Sequence, residues 1–79
     1  SLALGTAYFR AERFDDAERE LKAAIDANSA AGEAHNNLAV VYLYTKRYED
    51  AAREITAAEK AGFKVNPGLK DEIKAKLGK

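Results

Sequence analysis

Two pairs of adjacent carboxylates (Asp15-Asp16 and Glu49-Asp50), one histidine (His35) and two serines (Ser1 and Ser29) are the side chains whose types suit acid–base, metal or nucleophilic chemistry. A serine nucleophile needs a base to take its proton, and none stands at a recognisable spacing from either serine. One histidine without any cysteine falls short of the ligand set of a catalytic zinc. The lack of cysteine also removes disulfides and thiol nucleophiles, and no GxxxxGK[ST] phosphate cradle is present. Each acid pair follows a short polar turn, where an incoming helix N-terminus favours negative charge without any catalytic duty. The chain is therefore expected to be no enzyme, with no cofactor and no metal.

The elements that must position these residues follow from composition and pattern. Seventy-nine residues, 47% hydrophobic and 33% charged with a single proline, suit one small, soluble, helix-rich globular domain. Thirteen basic residues balance 13 acidic ones, so bulk charge points to neither nucleic acid nor an anionic membrane. The balance is uneven: residues 1–40 hold four Arg and Lys against seven acids, whereas residues 60–79 hold six lysines against Asp71 and Glu72. A solvated helix face accounts for that bias. The longest apolar run, LAVVYLY, is seven residues, far short of the ~20 that span a bilayer. No membrane insertion is expected. No methionine or targeting signal is present, and the compartment stays open.

Sliding the chain against itself by 34 residues aligns LGTAYFRAERFDDAERELKAAI with LAVVYLYTKRYEDAAREITAAE. Leu4 then pairs with Leu38, Gly5 with Ala39, Tyr8 with Tyr42, Phe14 with Tyr48, Ala17 with Ala51, Leu21 with Ile55, and Ala24 with Ala58. Each pair keeps its size class. Leu4 and Tyr8, like Leu38 and Tyr42, share one helical face, with a small residue beside them where a second helix can approach closely. The stripe Phe14, Ala17, Leu21, Ala24 alternates large and small, as ridges packing into grooves require. Val40, Val41, Tyr42 and Tyr44 lean towards a strand by local propensity, yet their echo in LGTAYFR makes the segment a helix.

Helices are thus predicted at 2–11, 14–27, 33–45 and 48–61, joined by polar turns at Ala11 to Arg13 and Thr45 to Arg47. Acids four residues before bases, Asp15 to Arg19, Glu18 to Lys22, Glu49 to Arg53 and Glu72 to Lys76, should support the helix surfaces. Gly62 suits a left-handed helix end, and Asn66-Pro67 opens a fifth helix near 67–77. Its thin stripe Leu69, Ile73, Leu77 fits a capping helix, with Phe63 and Val65 beneath it.

The spaced size constraints resemble the tetratricopeptide repeat, with repeat 1 over about 1–31, repeat 2 over about 32–65 and a capping helix over about 66–78. The resemblance implies an all-α, right-handed α-α superhelix fragment of two antiparallel helix pairs plus the cap. It also implies a non-enzymatic module that binds a protein or peptide within a larger scaffold. The implied concave groove falls on Leu2, Ala3, Thr6, Phe9 and Arg10 of the first unit and on Glu33, Asn36, Asn37, Val40, Leu43 and Tyr44 of the second. A clamp for C-terminal carboxylates, known in the family, would need basic and amide residues at Leu2, Thr6, Asn37, Pro67 and Asp71, of which only Asn37 agrees. Two units fall below the three or more usually needed, so the chain is expected to end a longer array. The alternative is a structural end-cap or self-association element of the array with no peptide ligand of its own.

Overall fold

A computed structural model describes residues 1–28 and 30–78. Ser29 and Lys79, one of the six C-terminal lysines, lie outside the described residues. Five helices follow in order: α1 (Leu2–Arg10), α2 (Phe14–Asp26), α3 (Ala31–Tyr44), α4 (Tyr48–Lys60) and α5 (Pro67–Lys76). No strand occurs among the described residues. The chain is an all-α helical-repeat fragment: α2 packs between α1 and α3, α3 between α2 and α4, and α5 lies on α4.

α3 begins two residues before the expected position at 33. A glycine near a helix start weakens the helix by about 1 kcal/mol relative to alanine, which argues for a later start. Tertiary packing overrides it, because a Cβ on Gly32 would stand 2.9 Å from the Phe63 Cβ. α5 opens as expected, with Pro67 in its first turn and Asn66 Oδ1 accepting from the Gly68 N–H at 2.7 Å.

The ends of α1, α3 and α4 share one hydrogen-bonded closure. Arg13 N–H donates to Tyr8 O and Glu12 N–H to Phe9 O, each at 2.9 Å. The same pair recurs at Arg47 to Tyr42 and Lys46 to Leu43, and again at Phe63 to Ala58 and Gly62 to Glu59. This crossed pattern satisfies carbonyls that would otherwise be orphaned at a helix end, and it demands a left-handed residue. Gly62 meets the demand at φ +90°, whereas Glu12 and Lys46 adopt φ 60° and 64° with side chains attached.

The polar surface departs from the simple four-residue pairing. Arg13 and Arg19 both bind Asp16, at 2.7 and 2.6 Å, and Arg47 and Arg53 both bind Asp50. Asp15 and Glu49, the expected partners of Arg19 and Arg53, are bypassed, and no Glu72 to Lys76 bridge forms among the described residues. The arginine preceding each helix already holds the Asp carboxylate one turn in, so the later arginine joins it at three residues' spacing. Each leading arginine also lies over a tyrosine ring, Arg13 on Tyr8 at 4.7 Å and Arg47 on Tyr42 at 4.3 Å. Glu18 to Lys22 forms as expected, at 2.8 Å.

Glu18 does more than pair with Lys22. Its carboxylate also accepts from Arg47 Nη1 at 3.0 Å and from the Tyr42 hydroxyl at 3.2 Å, tying α2 to α3 and the turn after it. Burial works to raise the Glu18 pKa, but Lys22 and Arg47 outweigh it, and the carboxyl sits below its usual range. Burial, and next the Glu18 charge, raises the Tyr42 phenol.

The core is Ala17, Leu21, Ala24, Ala34, Leu38, Ala39, Val41, Tyr42, Leu43, Ala51, Ile55, Ala58, Val65 and Ile73. Tyr8, Phe14 and Tyr48 pack half-buried against it, as do Phe63, Leu69 and Leu77. One repeat position differs from expectation: Leu4 is 42% exposed although its counterpart Leu38 is 1% exposed. Leu38 has α2 against it, whereas α1 meets α2 and, more lightly, α3, and its outer face stays open.

Gly5 is required by close approach. A Cβ there would stand 2.7 Å from Leu21 Cγ and 2.8 Å from Leu21 Cδ2. Gly5→Ala is expected to lower stability by about 1–3 kcal/mol through overpacking, against a helix-propensity gain of about 1 kcal/mol, as read from urea midpoints. A raised midpoint would mean that Leu21 yields freely.

A second outcome concerns acid. A depressed folded-state pKa gives stability that is fully present above the unfolded value and is lost as pH falls through the folded one. Glu18→Gln should therefore melt lower than wild type at neutral pH, with the gap closing in the acid range. A gap that persists unchanged in strong acid would disprove the linkage.

Candidate functional site

Helical spacing brings the groove residues together from two helices. Thr6, Phe9 and Arg10 lie three and four apart on α1, and Asn37, Val40 and Tyr44 do so on α3. α2 sends Leu21 between them. A cavity of about 230 Å³ results, lined by Thr6, Phe9, Arg10, Leu21, Asn37 and Val40. Leu21 is fully buried and forms the floor, Phe9 and Val40 are half-buried walls, and Arg10 is exposed at the rim.

One polar link fastens α1 to α3 at this cavity. Asn37 Nδ2 donates to Thr6 Oγ1 at 3.2 Å, and Asn36 Nδ2 donates a long bond to Asn37 Oδ1 at 3.4 Å. Asn36 Oδ1 is buried with no hydrogen-bond partner among the described residues.

An aromatic cluster forms beside the cavity wall. Phe9 meets Tyr44 edge to face, centroids 5.1 Å apart at 86°, and Phe14 lies 5.9 Å from Phe9 and 6.1 Å from Tyr44. Such geometry suits the ring quadrupoles and adds about 0.5–1.5 kcal/mol per pair beyond area burial. Tyr44 remains 62% exposed.

Of the expected groove residues, Thr6, Phe9, Arg10, Asn37 and Val40 share this cavity, and Tyr44 reaches it through Phe9. Leu2, Ala3, Glu33 and Asn36 do not line it. Leu43 corrects the expectation outright. It is 8% exposed and joins the core with Val65 and Ile73, since α5 and the segment leading to it extend the core over that side of α3. Glu72 and Lys76 of α5 border the hollow beside Leu43, Tyr44 and Tyr48, but no residue of α5 lines the Leu21 cavity.

Two participants escape the groove reading. Leu21 and Phe14 are size-matched packing positions from sequence, yet one floors the cavity and the other braces its aromatic wall. Period alone marks them as packing residues, and no local signal separates that duty from a part in the site.

Chemically, the cavity offers apolar surface, one hydroxyl, one amide and one guanidinium. His35 lies elsewhere: its Nδ1 is 2.6 Å from Glu54 Oε1, an α3–α4 link not visible in the repeat pattern. No group of three or more His, Cys, Asp or Glu side chains able to hold a metal ion occurs among the described residues. Among the described residues, no helix is long and apolar enough to cross a membrane.

A family model described as tetratricopeptide repeat matches residues 2–63. Comparison with curated proteins and with solved structures returns no match. Repeats of this family are in general non-catalytic modules that bind proteins or peptides. With two helix pairs in 34-residue register and the match running from the first turn of α1 to the closure after α4, the chain belongs to the tetratricopeptide repeat family.

Proposed function

We propose that the chain is a protein-interaction module of a larger scaffold, binding an extended peptide along the face shared by α1 and α3. One observation carries this reading: five of the expected groove residues converge on a single apolar cavity with a fully buried floor. Its volume of about 230 Å³ lies under the roughly 300–1,000 Å³ of small-molecule sites. It suits one inserted side chain rather than a cofactor. The half-buried walls and the exposed Tyr44 ring extend the apolar surface past the cavity mouth, as a peptide running across it would use.

A library of random linear peptides panned on the immobilised chain should yield binders that lose at least about tenfold in affinity, ~1.4 kcal/mol, on Val40→Asp. Helicity should be kept and the melting temperature nearly so. Binders held equally well by Val40→Asp, or a variant that simply unfolds, would make Val40 a core residue and sink the groove. Tyr44→Ala should weaken binding too, while costing about 0.5–1.5 kcal/mol of stability through its lost contacts with Phe9 and Phe14.

A second reading, a structural element that associates with another copy, is favoured by the exposed Leu4 on the outer face of α1. It requires concentration-dependent sedimentation that Leu4→Glu abolishes. A monomer at every concentration removes it.

A further inference from the structure

The chain has five arginines, and four are neutralised internally. Arg13 and Arg19 share Asp16, Arg47 binds Glu18 and Asp50, and Arg53 binds Asp50. Arg10 makes no ion pair among the described residues, and it stands on the rim of the Leu21 cavity. The paired arginines recur 34 residues apart together with their acids, whereas the counterpart of Arg10 is Tyr44. Arg10 is thus outside the repeated scaffold of charge, and what it faces is the cavity mouth.

Resting on the groove reading above, we infer that the ligand is a peptide carrying a bulky apolar side chain with an acidic side chain close to it in sequence. The apolar group seats on Leu21 between Phe9 and Val40, and the carboxylate pairs with Arg10. Both halves follow from the lining. The floor and walls are hydrocarbon and aromatic, so each methylene inserted gains from leaving water. A guanidinium presents a planar fork of donors that matches a carboxylate. Among the described residues, Arg10 is the only cationic side chain lining this cavity. One cation suits a carboxylate, whereas a nucleic-acid backbone would call for a row of them. Between the two, the Asn37 amide, held in place by Thr6 Oγ1, has a second N–H to give to a peptide carbonyl.

The test uses random peptides displayed with their C-termini fused to the carrier, so that only acidic side chains, never a terminal carboxylate, can meet Arg10. Wild type, Arg10→Glu and Val40→Asp are panned in parallel after each is shown to keep its helicity and melting transition. Wild type should enrich Leu, Ile, Met or Phe close to Asp or Glu. Arg10→Glu should keep the apolar preference while exchanging the acids for Lys or Arg. It should also bind a synthetic wild-type-selected peptide about three- to tenfold more weakly, in line with an exposed to partly shielded ion pair. Rising salt should erode the wild-type affinity and, by screening the like-charge repulsion, raise that of Arg10→Glu for the same peptide, so that the two converge.

If Arg10→Glu selects the same acidic peptides, Arg10 does not read the ligand and the inference fails, while loss of enrichment in Val40→Asp would still uphold the groove. Enrichment that survives Val40→Asp overturns the groove itself. No enrichment from wild type overturns both, and a dimer that Val40→Asp dissociates would then identify a second copy as the occupant.

Discussion

The Leu21 side chain lying against the backbone of Gly5 is the contact on which the rest depends. A buried leucine is worth roughly 1.5–3 kcal/mol relative to exposure, and here its place is secured by the absence of a single Cβ on the facing helix. That absence sets how closely α1 and α2 approach. It also leaves Leu21 between α1 and α3 as the floor of the cavity. In the second pair Ala39 and Ile55 hold the corresponding positions, both buried, so the same junction is built there from a different pair of sizes. The cavity is thus a by-product of packing that the fold needs anyway.

Around this apolar junction runs a polar device that also repeats. A tyrosine three residues inside the helix end, the arginine stacked on it, the aspartate one turn into the next helix and a second arginine form one connected chain in each pair. The stacked arginine occupies the place where a helix closure of this type usually sets an apolar contact. It gives that packing through its guanidinium face while its edge holds the carboxylate. Left-handed Glu12 and Lys46 carry a backbone strain of about 1–2 kcal/mol each, offset by two closing hydrogen bonds and the arginine chain. Glu18 then joins the first pair to the second copy of the device by accepting from both Tyr42 and Arg47.

Much of this was legible in the residues, because packing constraints act on size and recur with the period. The helix order, the turns and the identity of the buried stripe all follow from the correspondence of Leu4 through Ala24 with Leu38 through Ala58. The exceptions have physical causes. Leu4 and Leu38 are equal as letters, but burial belongs to what stands opposite, and only Leu38 has a helix there. Leu43 lies three residues from Val40 on the same helix, yet α5 extends the core across it. The rule that an acid pairs with a base four residues on failed at Arg19 and Arg53, because an arginine just outside the helix had already fixed the competing aspartate. His35 and Glu54 meet across two helices, which no local pattern announces.

The internal repeat also separates what the fold needs from what it leaves free. Packing positions keep their size class between the two units: Tyr8 and Tyr42, Ala17 and Ala51, Leu21 and Ile55. Most expected groove positions change chemical class instead: Ala3 becomes Asn37, Thr6 becomes Val40, and Arg10 becomes Tyr44, while Phe9 and its counterpart Leu43 stay apolar. A position whose neighbours lie inside the protein must fit a fixed shape, whereas one facing the groove answers to whatever lies across it. Five of these class-changing residues, Thr6, Arg10, Asn37, Val40 and Tyr44, are drawn to the same face by helical spacing; Asn37 is linked to Thr6, and Tyr44 packs on Phe9. The face that departs from the repeat is therefore the face that can carry a specificity of its own, and its floor, Leu21, is a packing position that the repeat keeps large and apolar, as Ile55 in the second unit.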